Sequence, residues 1–155
     1  MRLSKAEKAF LEKYRFLKTD PFPINLPRFG SKLGDMSDSD CQILSRIVDS
    51  IDKLTLSENE ISNEGVAFLS KIKIRILDLD GNYLDDSCLR DLAKIQSLEV
   101  LNIRHTDISA EGLKYLVHQL HHLKEICHTL DESDREQTEE LASHKPDIKF
   151  RINFS

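Results

Sequence analysis

Apolar positions along this chain alternate between two periodicities. Where Leu and Ile recur at a spacing of two, the pattern predicts a short strand, because successive strand side chains point to opposite faces. Where they recur at three and four, it predicts a helix. The strand spelling repeats as Leu54-x-Leu56-x-x-Asn59-x-Ile61, Leu77-x-Leu79-x-x-Asn82-x-Leu84 and Leu101-x-Ile103-x-x-Thr106-x-Ile108. The offsets are 23 and 24 residues, and the copies stay in step through Gly65 and Leu69, Cys88 and Leu92, and Gly112 and Leu116. Self-similarity at such a period predicts stacked strand–helix coils around one continuous core. In each coil the paired Leu or Ile points inward. The Asn at the turn is expected to bond backbone groups left open in its own repeat and the next. The Gly or Cys opens a helix where neighbouring repeats crowd. That helix returns by way of Leu69 and Ile72, Leu92 and Ile95, or Leu116 and Leu120.

The ends depart from this pattern. Ser4-Lys-Ala-Glu7 is a capping box, and Ala6, Phe10, Tyr14 and Leu17 predict a helix to about Lys18. Pro21, Pro23 and Pro27 forbid its continuation, so Asp20 to Gly34 is expected to be extended and irregular. Ser37-Asp-Ser-Asp40 caps a second helix with Cys41, Leu44, Ile47 and Val48 as its buried stripe. Beyond the third repeat, Leu123-x-x-Ile126-x-His128 is a fourth opening, with His128 in a Leu position and Asp131 where Asn is expected. Residues 132–144 predict an acidic helix anchored by Leu141 and ended by Pro146, and Ile148 to Phe154 alternates as a final strand.

With its full openings, Ile51-x-x-Leu54, Ile74-x-x-Leu77 and Leu98-x-x-Leu101, the pattern resembles the leucine-rich repeat family. The continuations Ser62-Asn-Glu-Gly65 and Ser109-Ala-Glu-Gly112 are similar to its helix-containing, ribonuclease-inhibitor-like subclass. The resemblance implies an α/β solenoid with a concave parallel sheet, convex helices and a helical N-terminal cap. It divides a single domain, 1–155, into that cap (1–50), three repeats (51–122), and a degenerate repeat with a C-terminal cap (123–155). It also implies a binding surface rather than a catalytic one, although one fold hosts many activities.

The register assigns the outward strand positions. Thr55, Asp78, Asn102, Cys127 and Arg151 form a middle column. Lys53, Ile76, Val100, Glu125 and Lys149 flank it on one side, and Ser57, Asp80, Arg104, Thr129 and Asn153 on the other. Glu58, Tyr83 and His105 stand on the ascending loops. Mixed charge around an apolar and aromatic centre suits a protein partner, so Ile76, Asp78, Asp80, Tyr83, Val100, Asn102, Arg104, His105, Cys127 and Arg151 are the candidate contact residues. On the alternative reading these polar residues only keep the sheet soluble, and an Arg104–Asp80 pair across neighbouring strands is expected.

Composition narrows the function classes. No apolar run approaches the roughly 20 residues of a membrane span, and Met1 to Glu7 carries no apolar signal region. Three widely separated cysteines, Cys41, Cys88 and Cys127, argue for a reducing, cytoplasmic setting. The net charge of −5 conceals a basic N-terminal arm, with eight Lys/Arg against four Asp/Glu over residues 1–36. The rest lacks the sustained basic stripe that nucleic acid asks for. His118, His121 and His122 share a helical spacing that can hold a metal, but the dipole of a helix C-terminus also favours cations there. Cys127 and His128 are adjacent on a strand and diverge, so they do not make a nucleophile pair.

No cofactor, metal or catalytic motif is expected. The leading reading is a cytoplasmic, non-catalytic module that binds a protein through the concave face, an adaptor or an inhibitor of immunity type. The alternative is a structural subunit docking through the basic N-terminal helix. Partner identity and oligomeric state are not encoded legibly.

Overall fold

A computed structural model describes residues 2–16, 24–31 and 33–155. Its strands form one six-stranded sheet in sequence order, every neighbouring pair parallel. The strands are β1 (Ile24–Gly30), β2 (Val48–Thr55), β3 (Lys73–Asp78), β4 (Val100–Asn102), β5 (Glu125–Leu130) and β6 (Lys149–Phe154). Between them run α2 (Asp38–Ile47), α3 (Asn63–Leu69), α4 (Leu89–Leu92), α5 (Ala110–Gln119) and α6 (Arg135–His144). Parallel neighbours require a crossover, and here each crossover contains one helix. Single 3₁₀ turns, Asp86–Cys88 and Glu132–Asp134, lead into α4 and α6.

The expected spine is present. Leu54, Leu77, Leu101 and Ile126 pair across the sheet, and each is buried. The helix-side residues Leu69, Ile72, Leu92, Ile95, Leu116 and Leu120 close the same core. The final strand alternates as predicted, and Leu141 anchors α6.

The N-terminal segment differs from expectation. Helix α1 (Lys5–Lys13) starts with the predicted Ser4–Glu7 capping box but ends at Lys13. Ala6 is exposed, whereas Glu7, Phe10 and Leu11 are buried. Leu17, Lys18, Pro21 and Pro23 lie outside the described residues. The stretch expected to be irregular contains β1, which, with α2, forms an additional coil ahead of the predicted first repeat. Pro27 is accommodated because β1 is an edge strand. Glu7 also meets Arg46 of α2 at 3.2 Å, and Phe10, Tyr14, Phe16 and Phe29 pack as an aromatic cluster.

Two sets of polar rungs fasten coil to coil. In the first, the Asn side chains reach backwards, into the preceding coil rather than the next. Asn59 accepts from the Met36 amide at 2.8 Å. Asn82 accepts from the Ile61 amide at 3.1 Å and donates to the carbonyls of Leu56 and Leu79 at 2.7 and 3.0 Å. In the second set, the first helical residue of one coil holds the N-cap of the following one. Asp38 accepts from the Ser62 amide at 2.9 Å, Asn63 from Asp85 at 3.1 Å and Asp86 from Ser109 at 2.8 Å. This second set explains the glycines. A Cβ at Gly65 would run into Asp38 Oδ1, and one at Gly112 would stand 2.5 Å from Asp86 Oδ1. Where Asn63 replaces the Asp, the following coil carries Cys88 instead.

Candidate functional site

The face of the sheet turned away from the helices is built by strand alternation alone. Each strand that sends Leu or Ile into the core must present its intervening residues outward. The pairing register reproduces the predicted columns: Thr55, Asp78, Asn102, Cys127 and Arg151 lie side by side, as do Lys53, Ile76, Val100, Glu125 and Lys149. Ile76, Asp78, Asp80, Val100, Asn102 and Arg104 are half-buried, while His105 and Arg151 are exposed. Tyr83, on the turn beyond β3, is 72% exposed.

Cys127 departs from the expectation of exposure: it is only 8% exposed. It sits in the predicted column, but it is a small residue between larger neighbours. Burial raises its thiol pKa, and the nearby Arg104 opposes that shift. Burial likewise pushes Cys41 and Cys88 up to about 12. None of the three is an activated thiolate.

The expected Arg104–Asp80 pair does not form. Asp80 instead meets Nδ1 of His105 at 2.7 Å. The cause is the turn: His105 has a φ of 50°, the same left-handed position that Gly81 and Glu58 occupy in the preceding coils. Asp78 accepts from the Asn102 amide at 3.0 Å and the Asp80 backbone at 3.1 Å. Its pKa is nevertheless raised, first by burial and then by the Asp80 charge, against those hydrogen bonds. Glu125 accepts from Arg151 at 2.5 Å. Arg104 has no ion-pair partner within 4.0 Å among the described residues, and its Nε is buried without a hydrogen bond.

A row of charges that the sequence reading missed crosses the N-terminal ends of the strands. Arg75 bonds Asp52 at 2.6 and 2.9 Å and Glu99 at 3.4 Å, and Lys124 meets Glu99 at 2.9 Å. The alternation of sign at one repeat position was the available signal. These exposed pairs fasten neighbouring strands only weakly, because water and salt screen them.

His118 is exposed on α5, and that helix ends at Gln119, so His121 and His122 follow it rather than continue its face. Among the described residues no group of three His, Cys, Asp or Glu side chains is placed to hold a metal. No described helix is long and apolar enough to cross a membrane.

Residues 50–70 and 94–117 match the family described as Leucine Rich repeat. No curated protein matches the chain.

Proposed function

Because the chain is built from leucine-rich repeats, which generally mediate protein–protein interaction, we propose that it is a non-catalytic protein-binding module whose contact surface is the outer face of its sheet. The observation that carries this reading is the composition of that face. Half-buried Ile76 and Val100 sit beside polar Asp78, Asn102 and Arg104, with a strongly exposed Tyr83 at the margin. An apolar centre with an aromatic and an arginine is the makeup of an interface hot spot. The face is a broad sheet surface and lacks the enclosure that water-excluding chemistry requires. Cytoplasmic residence belongs to the same proposal, and the three unpaired cysteines support it. Whether the module serves as an adaptor or an inhibitor depends on what its partner does once held.

A photo-crosslinking amino acid tests the surface. Placed at Val100, it is expected to trap a partner in native lysate. Placed at Tyr115, which is exposed on the helical side, it is expected to trap none. Crosslinks from position 115 alone would move the contact to the opposite face and remove the proposal.

A further inference from the structure

Two of the side-chain atoms buried without a hydrogen bond belong to residues of one outward column of the repeat register. They are Arg104 Nε and Thr129 Oγ1. Asn102 pairs with Cys127 across β4 and β5, so two residues further on, Arg104 and Thr129 occupy facing positions. Buried polar atoms are ordinarily satisfied, and leaving one unsatisfied is destabilising. Two at neighbouring positions of the register, bonded neither to each other nor to any other described group, point to one place where a hydrogen-bonding group is missing. Arg104 can only donate, and the Thr129 hydroxyl can do so as well. The group they fit is therefore an acceptor.

The charges around them say which acceptor. The outer columns carry Arg28, Lys53, Arg104, Lys149 and Arg151 against Asp78, Asp80 and Glu125. Asp80 is engaged by His105 and Glu125 by Arg151. Five basic against three acidic side chains give these columns a small formal excess of positive charge within a chain of net charge −5, although Glu58 stands at their margin, and Arg104 has no counter-ion within 4.0 Å among the described residues. Resting on the reading of this face as a protein contact, we infer that the partner docks an acidic segment on it, with a carboxylate received by Arg104 and Thr129. The half-buried guanidinium is drawn off the sheet to take the carboxylate in a two-pronged pair, a geometry that lysine does not reproduce. A nucleic-acid backbone fits less well, because Asp78 interrupts the cationic surface and no continuous basic track runs along it.

The test uses the full chain and three labelled probes: an acidic 15-residue peptide rich in Glu and Asp, the same peptide with Gln and Asn, and single-stranded DNA of matching charge. Fluorescence anisotropy is expected to show binding of the acidic peptide alone, weakening as salt rises. Arg104→Gln and Arg104→Lys are each expected to lose roughly tenfold in affinity. Arg135→Gln, whose side chain pairs with Glu132 away from this face, keeps wild-type affinity. Circular dichroism confirms that each variant is folded. Equal affinity in Arg104→Gln, equal binding of the amide peptide, tighter binding of DNA, or no binding at about 1 mM acidic peptide each overturns the inference. If crosslinks from Val100 persist alongside any of those results, the sheet face remains the contact surface and only the acidic occupant is lost.

Discussion

The junction between the second and third coils and the junction between the fourth and fifth solve one problem with different side chains. At the first, Asn82 bonds the Leu56 carbonyl, and the Tyr83 amide bonds the Ile61 carbonyl at 2.9 Å. At the second, Ile103 and Ile108 hold the corresponding positions, but no Asn follows. Thr106 turns its hydroxyl to Ile103 inside its own coil, and Asp131, at the next Asn position, is exposed. His128 supplies the rung instead. Its ring is 0% exposed and spans both carbonyls, Nδ1 at 2.9 Å from Ile103 O and Nε2 at 2.7 Å from Ile108 O. A residue in a core-facing strand position has taken over work done elsewhere by a turn residue and a backbone amide. A polar hollow of about 420 Å³ lies at this junction, lined in part by Thr106, Thr129 and Asp131. The difference teaches that a solenoid junction requires its inter-coil carbonyls to be bonded, and that the donor's place in the repeat is negotiable.

The two donors differ in one physical respect, which is titration. Asn is uncharged at every pH, whereas His128 has a pKa lowered by burial, only partly offset by the two carbonyls. A neutral ring carries one N–H, so near neutral pH one carbonyl receives a hydrogen bond and the other faces a bare nitrogen.

Removing the rung at the regular junction is the strongest way to test the comparison. Asn82→Ala orphans the Ile61 amide and the Leu56 carbonyl together, and urea unfolding is expected to show a loss of about 3 kcal/mol. A loss under about 1 kcal/mol would mean that the backbone heals the gap. Gly112→Ala comes next. Its methyl meets Asp86 Oδ1, whose carboxylate is held by Ser109, and the expected cost is about 2 kcal/mol by the same measurement.

His128→Leu restores the repeat's usual residue but removes the one hydrogen bond that the neutral ring donates, while the Ile103 carbonyl keeps the Thr106 hydroxyl. A loss of about 1–2 kcal/mol at neutral pH is expected. The pH dependence sharpens the contrast. A His pKa depressed on folding means that the unfolded chain binds more protons below about pH 6.5, so stability is full above that value and falls as pH drops toward the folded value. Thermal melts between neutral and mildly acidic pH should show that slope in the wild type and a shallower one in His128→Leu. Identical slopes would remove His128 as the titrating rung.

The smallest effect belongs to Asp78. Its raised pKa means that folding disfavours the carboxylate, so stability is lost as pH rises through the folded value. Asp78→Asn should therefore stabilise at neutral pH by less than about 1 kcal/mol, and the gain should vanish below the ordinary carboxylate range, near pH 4. Melting temperatures at the two pH values check it.

Periodicity by itself determined the coil, the spine and the outward columns, because strand alternation and helix spacing are local rules that act on each residue through its immediate neighbours. The glycines were legible as points of crowding. The first coil was harder to see: Pro27 and the missing Leu-x-Leu spelling hid β1, although Cys41 and Leu44 already stand 24 and 25 residues before Gly65 and Leu69. Only the tertiary structure decided the backward reach of the Asn side chains, the covering of Cys127 by its neighbours, the choice of His105 over Arg104 by Asp80, and the bridging by His128. Each of these depends on where two coils distant in sequence leave a donor and an acceptor facing one another. Such distances are set by how the stack closes and by the conformation of each turn, and no single repeat contains them.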